Sequence, residues 1–270
     1  MNLISVELSE KQFRKISRLV YVLCGINLKD GKQALVRSRL MKRLRALRLP
    51  NFDTYLKYLE SEEGRGEISF LIDVITTNKT SFFREPEHFN YLREHILPEL
   101  SFRRLRFWTA ACSSGEESYS LAILLRENIA DTVMGDVKIL ATDISTQMLE
   151  KARRAVYGKD ELREIPSGML QKYFNRTEAD PPAYQVRENV RSMVRVARLN
   201  LMDAWPMKGP FNVLFCRNVM IYFDKSTQQK LINRFWEYLE PGGYLFVGHS
   251  EGLSAISHKF HYVRPAVYRK

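Results

Sequence analysis

The sequence predicts an α/β protein in which a mostly parallel sheet is covered by helices on both faces and preceded by a small all-α unit. Three observations lead there. Apolar residues recur at helical spacing through the first 77 residues. From about residue 105 the pattern changes to short apolar strands that alternate with helices. Two of those strands end in features typical of ligand-binding strand tips, the small-residue turn Ala110-Ala111-Cys112-Ser113-Ser114-Gly115 and the acidic Asp143. A chain of 270 residues has room for one medium α/β domain and a small helical one.

The elements follow in order. Ser9-Glu10-Lys11-Gln12 has the form of a capping box, and Phe13, Ile16, Val20 and Leu23 then recur on one helix face. Asp30 to Gln33 repeats the cap pattern before Leu40, Met41, Leu44 and Leu47, and Pro50 ends that helix. A third helix over residues 52–60 and a fourth over 67–77 complete the unit. Pro86 opens a helix that runs to about residue 100. A buried strand over 105–111 leads through the Ser/Gly turn into a helix over 116–129. A second strand, 137–142, ends in Asp143, and Ser145 caps a helix that stops at Gly158. Residues 211–216 read as a strand, 224–239 as a helix closed by Pro241-Gly242-Gly243, and 244–248 as a strand. One segment breaks the alternation. Tyr184 to Arg187 and Val194 to Ala197 alternate at period two around Glu188-Asn189, which predicts an antiparallel hairpin subdomain over about 168–199. It reads equally as a docking platform with an exposed strand edge and as a flap over the core. The expected organisation is a helical domain over 1–77, a linker and connecting helix over 78–103, and an α/β domain over 104–270.

Composition narrows the function classes. No apolar run approaches the ~20 residues that span a bilayer. Residues 1–9 lack the basic start and apolar stretch of a secretory leader, so a protein of the cytosol is expected. Cys24, Cys112 and Cys216 are odd in number and far apart, and the five histidines lack ligand spacing. Reduced thiols and no metal are expected. The net charge of +11 suits nucleic acid, an anionic membrane or an acidic protein. Much of it lies within residues 29–48, as Lys29, Lys32, Arg37, Arg39, Lys42, Arg43, Arg45 and Arg48 against Asp30 alone. The plain reading of such a run is a solvated helix face. It contains no aromatic residue, which counts against base stacking on nucleic acid.

A ligand pocket is expected where the strand tips meet. The 110–115 turn lets the backbone approach a ligand, and the helix that follows offers free N–H groups. It is not GxGxxG, and Glu116 and Glu117 place negative charge where a pyrophosphate would sit. A ligand with a cationic or neutral centre fits better. Asp143 can accept both hydroxyls of a ribose, and Cys216-Arg217-Asn218-Val219 ends a later strand in the same crevice.

At these residues a resemblance becomes specific. Thr77-Asn78-Lys79-Thr80-Ser81-Phe82-Phe83-Arg84, Ala111-Cys112-Ser113-Ser114-Gly115-Glu116-Glu117, Ala141-Thr142-Asp143-Ile144, Phe215-Cys216-Arg217-Asn218-Val219-Met220-Ile221-Tyr222-Phe223 and Gly248-His249-Ser250-Glu251 resemble the CheR chemotaxis methyltransferases, in the family's order and over almost the whole chain. One departure is Ser118, where many members carry proline. The resemblance implies a Rossmann-like S-adenosyl-L-methionine methyltransferase domain with an inserted antiparallel β-subdomain, behind a small all-α domain. It implies methyl transfer to glutamate carboxylates on the methylation helices of bacterial chemoreceptors, the methyl-accepting chemotaxis proteins, with S-adenosyl-L-homocysteine as product. It places Asn78, Thr80 and Arg84 beside the methionine part and reaction centre, Glu117 at the methionine portion and Asp143 at the ribose. Asn200 and Leu201 flank the adenine, Arg217 and Asn218 close the pocket, and Tyr222 sits near the transferred methyl. Arg84 and Tyr222 are then the catalytic pair. Arg39, Lys42, Arg43 and Arg45 become candidates to steer an acidic receptor helix. The resemblance further implies a cytoplasmic protein near receptor arrays at the inner membrane and a β-subdomain able to hold a receptor C-terminal peptide. A monomer with no specific nucleic acid and no membrane insertion is also expected. Outside it, Arg84, Tyr222 and Phe223 would read as an ordinary surface residue and core aromatics.

Overall fold

The computed structural model describes residues 6–100, 104–130 and 136–270. Residues 1–5, part of the stretch read for a leader, and 101–103, the end of the expected connecting segment, lie outside the described residues.

Four helices build the N-terminal unit: α1 (Glu10–Cys24), α2 (Gln33–Leu47), α3 (Phe52–Glu60) and α4 (Glu67–Ile75). The capping box forms as expected at Ser9 and Gln12. The second cap does not, because α2 starts after Lys32 with no side chain satisfying its first N–H groups. Ile16, Val20, Leu40, Leu44, Phe52 and Tyr55 are completely buried in a core of their own. Residues 86–99 form a helix that changes pitch along its length: α5 (Pro86–Tyr91), a π turn over Leu92–Ile96 and a 3₁₀ turn over Leu97–Glu99.

The C-terminal part holds a seven-stranded sheet. Its strands are β1 (Leu105–Ala110), β2 (Val137–Asp143), β6 (Val194–Arg198), β7 (Phe211–Cys216), β8 (Leu239–Val247), β9 (His261–Arg264) and β10 (Val267–Arg269). Their spatial order is β6-β2-β1-β7-β8-β10-β9. The first five run parallel, with Leu105 opposite Val137, Phe107 opposite Val213 and Ile139 opposite Val194. β10 is antiparallel to β8 and β9. The chain works outwards from β1 through β2 to β6, then returns to β7 on the other side of β1. That reversal opens a crevice at the carboxyl ends of β1 and β7. Helices α6 (Glu116–Asn128), α7 (Thr146–Arg154) and α10 (Lys225–Tyr238) connect the strands. A second core holds Trp108 edge-on to Trp205 and Phe235.

The predicted hairpin is corrected. Its two strands join different sheets. β5 (Ala183–Val186) pairs with β3 (Val156–Gly158) and β4 (Phe174–Arg176) in a small antiparallel sheet of order β3-β5-β4, with α8 (Ser167–Tyr173) between β3 and β4 in the chain. Residues 188–191 then form a helical turn, α9 (Glu188–Arg191), and β6 runs parallel to β2 at the edge of the main sheet. Period-two alternation reports a half-buried strand but not its partner. The helix read as far as Gly158 stops at Arg154, where Ala155 turns left-handed (φ 51°) and Val156-Tyr157 begins β3. The two sheets together give the α/β architecture with a separate antiparallel subdomain.

The helical unit is tied to the sheet unit by specific bonds. The Asn27 N–H donates to the Tyr222 carbonyl at 2.8 Å, beside a β-bridge between Ile26 and Phe223. The Tyr21 hydroxyl donates to Asp224 at 2.7 Å, and Thr146 to Asp73 at 2.8 Å. Among the described residues no helix is long and apolar enough to cross a membrane.

Candidate active site

A cavity of about 450 Å³ lies at the carboxyl ends of the parallel strands. That volume is within the range of small-molecule sites, roughly 300–1,000 Å³. Four strand tips feed it: Ala111 to Ser113 after β1, Asp143 and Ile144 at β2, Leu199 to Leu201 after β6, and Arg217 to Val219 after β7. Asn78, Thr80, Arg84, Glu117, Asp143, Asn200, Leu201, Arg217, Asn218 and Tyr222 all line this one space. They are spread over about 145 positions of sequence and meet only because parallel strands end on the same edge.

The 110–115 turn is built by backbone geometry. Ala111 and Ser113 adopt positive φ (63° and 50°), and Gly115 sits at φ 98°. A Cβ on Gly115 would lie 3.0–3.1 Å from Ala152, Tyr119 and Tyr157, so only glycine fits there. The turn delivers the Ser113 N–H to one Asp143 oxygen at 2.7 Å, while the Ser145 N–H meets the other at 2.9 Å. Ser145 separately caps α7, as expected. Each Asp143 oxygen therefore keeps acceptor capacity for a diol. Burial raises the Asp143 pKa against those N–H groups. The two glutamates part company. Glu117 lines the cavity, but Glu116 is buried away from it, holding Ser114 through both oxygens at 2.9 and 2.7 Å. Ser118 has an inward partner, the Thr109 hydroxyl at 2.6 Å.

A buried ion network underlies the cavity. The Arg217 side chain, 1% exposed, reaches Glu85 and Glu117 at 2.9 Å each. Asn218 Nδ2 donates to the other Glu85 oxygen at 3.1 Å. Glu251 collects the N–H groups of Asn218 and Gly248 at 2.7 Å and of Ile221 at 3.1 Å, joining the loops after β7 and β8. Burial raises the Glu117 and Glu251 carboxyls; Arg217 opposes this at Glu117, and the three N–H groups oppose it at Glu251. Phe83, Glu85 and Asn218 also stand at positive φ (50°, 58° and 58°), so backbone strain is concentrated around this site.

The 76–85 loop crosses the cavity. Phe82, fully buried, anchors it edge-on against Tyr157 and Phe174. The Ser113 hydroxyl donates to the Asn78 carbonyl at 2.9 Å, and the Phe83 N–H to Ser120 at 2.8 Å. Arg84 donates to the Lys79 carbonyl at 2.9 Å, which leaves part of its guanidinium fork open toward the cavity it lines. Residues 26–29, between α1 and α2, form the opposite wall.

With this geometry in view, the comparisons with known proteins are direct. Residues 78–268 match the model of the CheR methyltransferase, SAM binding domain, and residues 11–76 that of the CheR methyltransferase, all-alpha domain. The chain belongs to the CheR methyltransferase family. The chemotaxis protein methyltransferase of Escherichia coli (strain K12) is 44% identical over 255 residues, covering 94% of this chain and 88% of its own. That of Borreliella burgdorferi is 39% identical over 276 residues, covering 99% and 96%. That of Salmonella typhimurium is 42% identical over 263 residues, covering 97% and 90%.

The residues present fit the CheR family's S-adenosylmethionine. The strand-tip carboxylate of Asp143 suits a ribose diol, and Glu117 presents negative charge to a ligand with a cationic centre. Some expected contacts are partly occupied by the protein itself. The Asn200 amide donates to the Leu23 carbonyl at 2.7 Å and its oxygen accepts from the Met202 N–H at 3.1 Å, so it joins the two units as well as lining the cavity. Arg217 and Asn218 act mainly on Glu85, Glu117 and Glu251. Glu85 and Glu251 escaped sequence reasoning as site residues. Glu251 stood in a quoted motif without a role, and Glu85 gave no signal beyond preceding Pro86. The 26–29 wall was missed for a simpler reason: it belongs to the other unit.

The basic run of 29–48 divides. Lys42 and Arg45 are exposed, and neither has an ion-pair partner among the described residues. Arg43 is not a free cation: it holds the buried Glu67 carboxylate at 2.8 and 2.7 Å and stacks 4.3 Å over Phe70. Arg39 caps the end of α4 through the Ile75 and Thr76 carbonyls and Thr77, and it lines the cavity. Cys24, Cys112 and Cys216 are buried free thiols; burial pushes Cys24 up to about 11 and the other two well above the ordinary range, so none supplies a thiolate. Glu85, His88 and His249 bring their side-chain ligand atoms within 4.8 Å of one another, but Glu85 is already held by Arg217 and Asn218.

Proposed function

We propose that this protein transfers the methyl group of S-adenosylmethionine to glutamate side chains of chemoreceptors, forming methyl esters, without a metal. The supporting observation is the convergence of Arg84 and Tyr222 on the cavity that Asp143 and Glu117 also line. The names of the relatives, chemotaxis protein methyltransferases, point the same way.

The bound cofactor supplies an electrophilic methyl on a cationic sulfur. An acceptor glutamate, with a pKa of about 4.3, is already ionised at neutral pH. Its oxygen forms the new O–C bond as the S–C bond breaks, so no general base is required. Both charges vanish in the reaction, and water stabilises them more than it stabilises the transition state. Alignment in a site with restricted solvation is therefore the main contribution of the protein. Arg84 orients the carboxylate with its planar fork. One of its N–H groups is tied to the Lys79 carbonyl, which limits how tightly it grips and quenches the nucleophile. Tyr222, fixed through its backbone carbonyl by Asn27, bounds the methyl channel. Asp143 holds the ribose, Glu117 the methionine portion, and Leu201 the adenine. Lys42 and Arg45 steer the acidic receptor segment. The protein works in the cytoplasm beside the receptor arrays, and the edges of the small sheet β3-β5-β4 suit strand addition by a receptor C-terminal peptide.

The test is transfer of labelled methyl from S-adenosylmethionine to chemoreceptor cytoplasmic fragments and to tRNA. Base-labile label on the fragments and none on tRNA is expected; the reverse result overturns the reading. In the same assay Arg84→Ala should lower kcat on the order of 100-fold with cofactor affinity retained, and Tyr222→Phe should lower it less.

A further inference from the structure

Beside the cavity, a second recess of about 510 Å³ opens between the α1–α2 loop, the turn after β7 and the loop after β8. It shares Asn27, Lys29, Ile221 and Phe223 with the cavity, so the two form one channel around Ile221. Its wall is fixed. Glu251 accepts from the Ile221 N–H, Gln228 Nε2 donates to the carbonyls of Met220 at 2.7 Å and Phe223 at 3.2 Å, and Asn27 holds Tyr222 from the other side. On this turn Ile221 is 45% exposed, and Leu35 of α2, which lines the main cavity, is 39% exposed. Both side chains line the cavity, so a segment that enters it passes over them.

Three lysines stand along this channel. Lys29, Lys32 and Lys225 are exposed, and among the described residues none has an ion-pair partner. Of the two carboxylates that line the recess, Asp224 accepts from the Tyr21 hydroxyl and the Thr227 N–H, and Glu251 from three N–H groups. A free cationic rim around an aliphatic contact selects an amphipathic segment that carries further carboxylates.

Building on the proposed function, we propose that this channel is the specificity groove for the acceptor segment. Aliphatic residues flanking the target glutamate pack on Ile221 and Leu35. A second carboxylate, about one helical turn from the target, pairs with Lys225 or Lys29. The enzyme thus chooses among receptor glutamates by the acidity of the neighbouring turn.

The experiment uses a chemoreceptor cytoplasmic fragment reduced to one acceptor glutamate, made with Glu or with Lys four residues from it on either side. Wild-type protein should methylate the Glu form with a KM about tenfold lower than the Lys form. Lys225→Glu should erase or reverse that preference, with kcat and S-adenosylhomocysteine affinity unchanged. Ile221→Ala should raise KM for both forms alike. A glutamate at the first position of α10 suits the helix dipole, so Lys225→Glu should fold normally. Equal KM for both fragments in wild type and Lys225→Glu overturns the groove while leaving the methyltransferase reading intact. Absence of methylation of either fragment by the wild type overturns both.

Discussion

Asp143 shows how one side chain serves both the fold and the candidate site. Its two oxygens receive the Ser113 and Ser145 N–H groups and so lock the strand-to-helix turns after β1 and β2 side by side. The remaining lone pairs are what a ribose requires. Asp143→Ala should weaken S-adenosylhomocysteine binding by about 1–3 kcal/mol by calorimetry, with a separate fall in Tm from the two orphaned N–H groups. Unchanged affinity would remove Asp143 from the site. Arg217 is a different case. Its charge balances Glu85 and Glu117 under the cavity, so its influence on a ligand passes through residues it positions.

At the scale of elements, α2 carries two kinds of arginine and lysine that look identical in sequence. Arg43→Ala leaves the buried Glu67 carboxylate with the Tyr55 hydroxyl alone and should cost about 3 kcal/mol of stability by denaturant titration. The pair Lys42→Glu and Arg45→Glu should leave Tm unchanged and slow methylation of receptor fragments, most strongly at low salt, because exposed charges act over roughly 8 Å at physiological ionic strength. Identical salt curves for wild type and the double reversal would leave those two as a solvated face. The α1–α2 connection makes a second test. Gly25 ends α1 at φ 73°, and a Cβ there would lie 2.6 Å from Met202 Sδ. Gly25→Val strains the backbone and pushes the 26–29 wall off the cavity. It should weaken cofactor binding, although Gly25 touches no cofactor in the proposed arrangement; unaltered affinity would show that the wall is dispensable.

For the whole molecule, sensitivity to acid has an identifiable source. Burial pushes the His88 imidazole down to about 3; Arg217 adds to this and Glu85 opposes it, with His249 and Arg264 adding smaller repulsions. In the unfolded chain a histidine titrates near 6.5. Folding therefore keeps His88 neutral. Its stability contribution is complete above about 6.5 and is lost as pH falls from there towards 3, with a slope of up to about 1.4 kcal/mol per pH unit. His88→Phe, which retains the ring contact with Phe246, should lose less Tm between pH 7 and 5 than the wild type. Equal losses would place the acid sensitivity elsewhere.

The helices of the N-terminal unit, the strands β1, β2, β7 and β8, the turn at 110–115 and Asp143 at its strand tip were legible in the sequence, because each rests on local chemistry: apolar period, capping side chains, small residues at a strand end; the other cavity residues were named through the family resemblance. The partners of half-buried strands were not legible. β5 and β6 have the same alternation, yet one enters the small sheet and the other the parallel one, since a strand's period records burial and its neighbour is settled by the whole topology. The division of the α2 cations, the roles of Glu85 and Glu251, and the contribution of residues 26–29 to the cavity likewise depended on tertiary structure. Each is a matter of which charge or carbonyl lies within about 3 Å across distances of 24 to more than 190 residues, and a linear sequence holds no record of that until the strand ends are brought together.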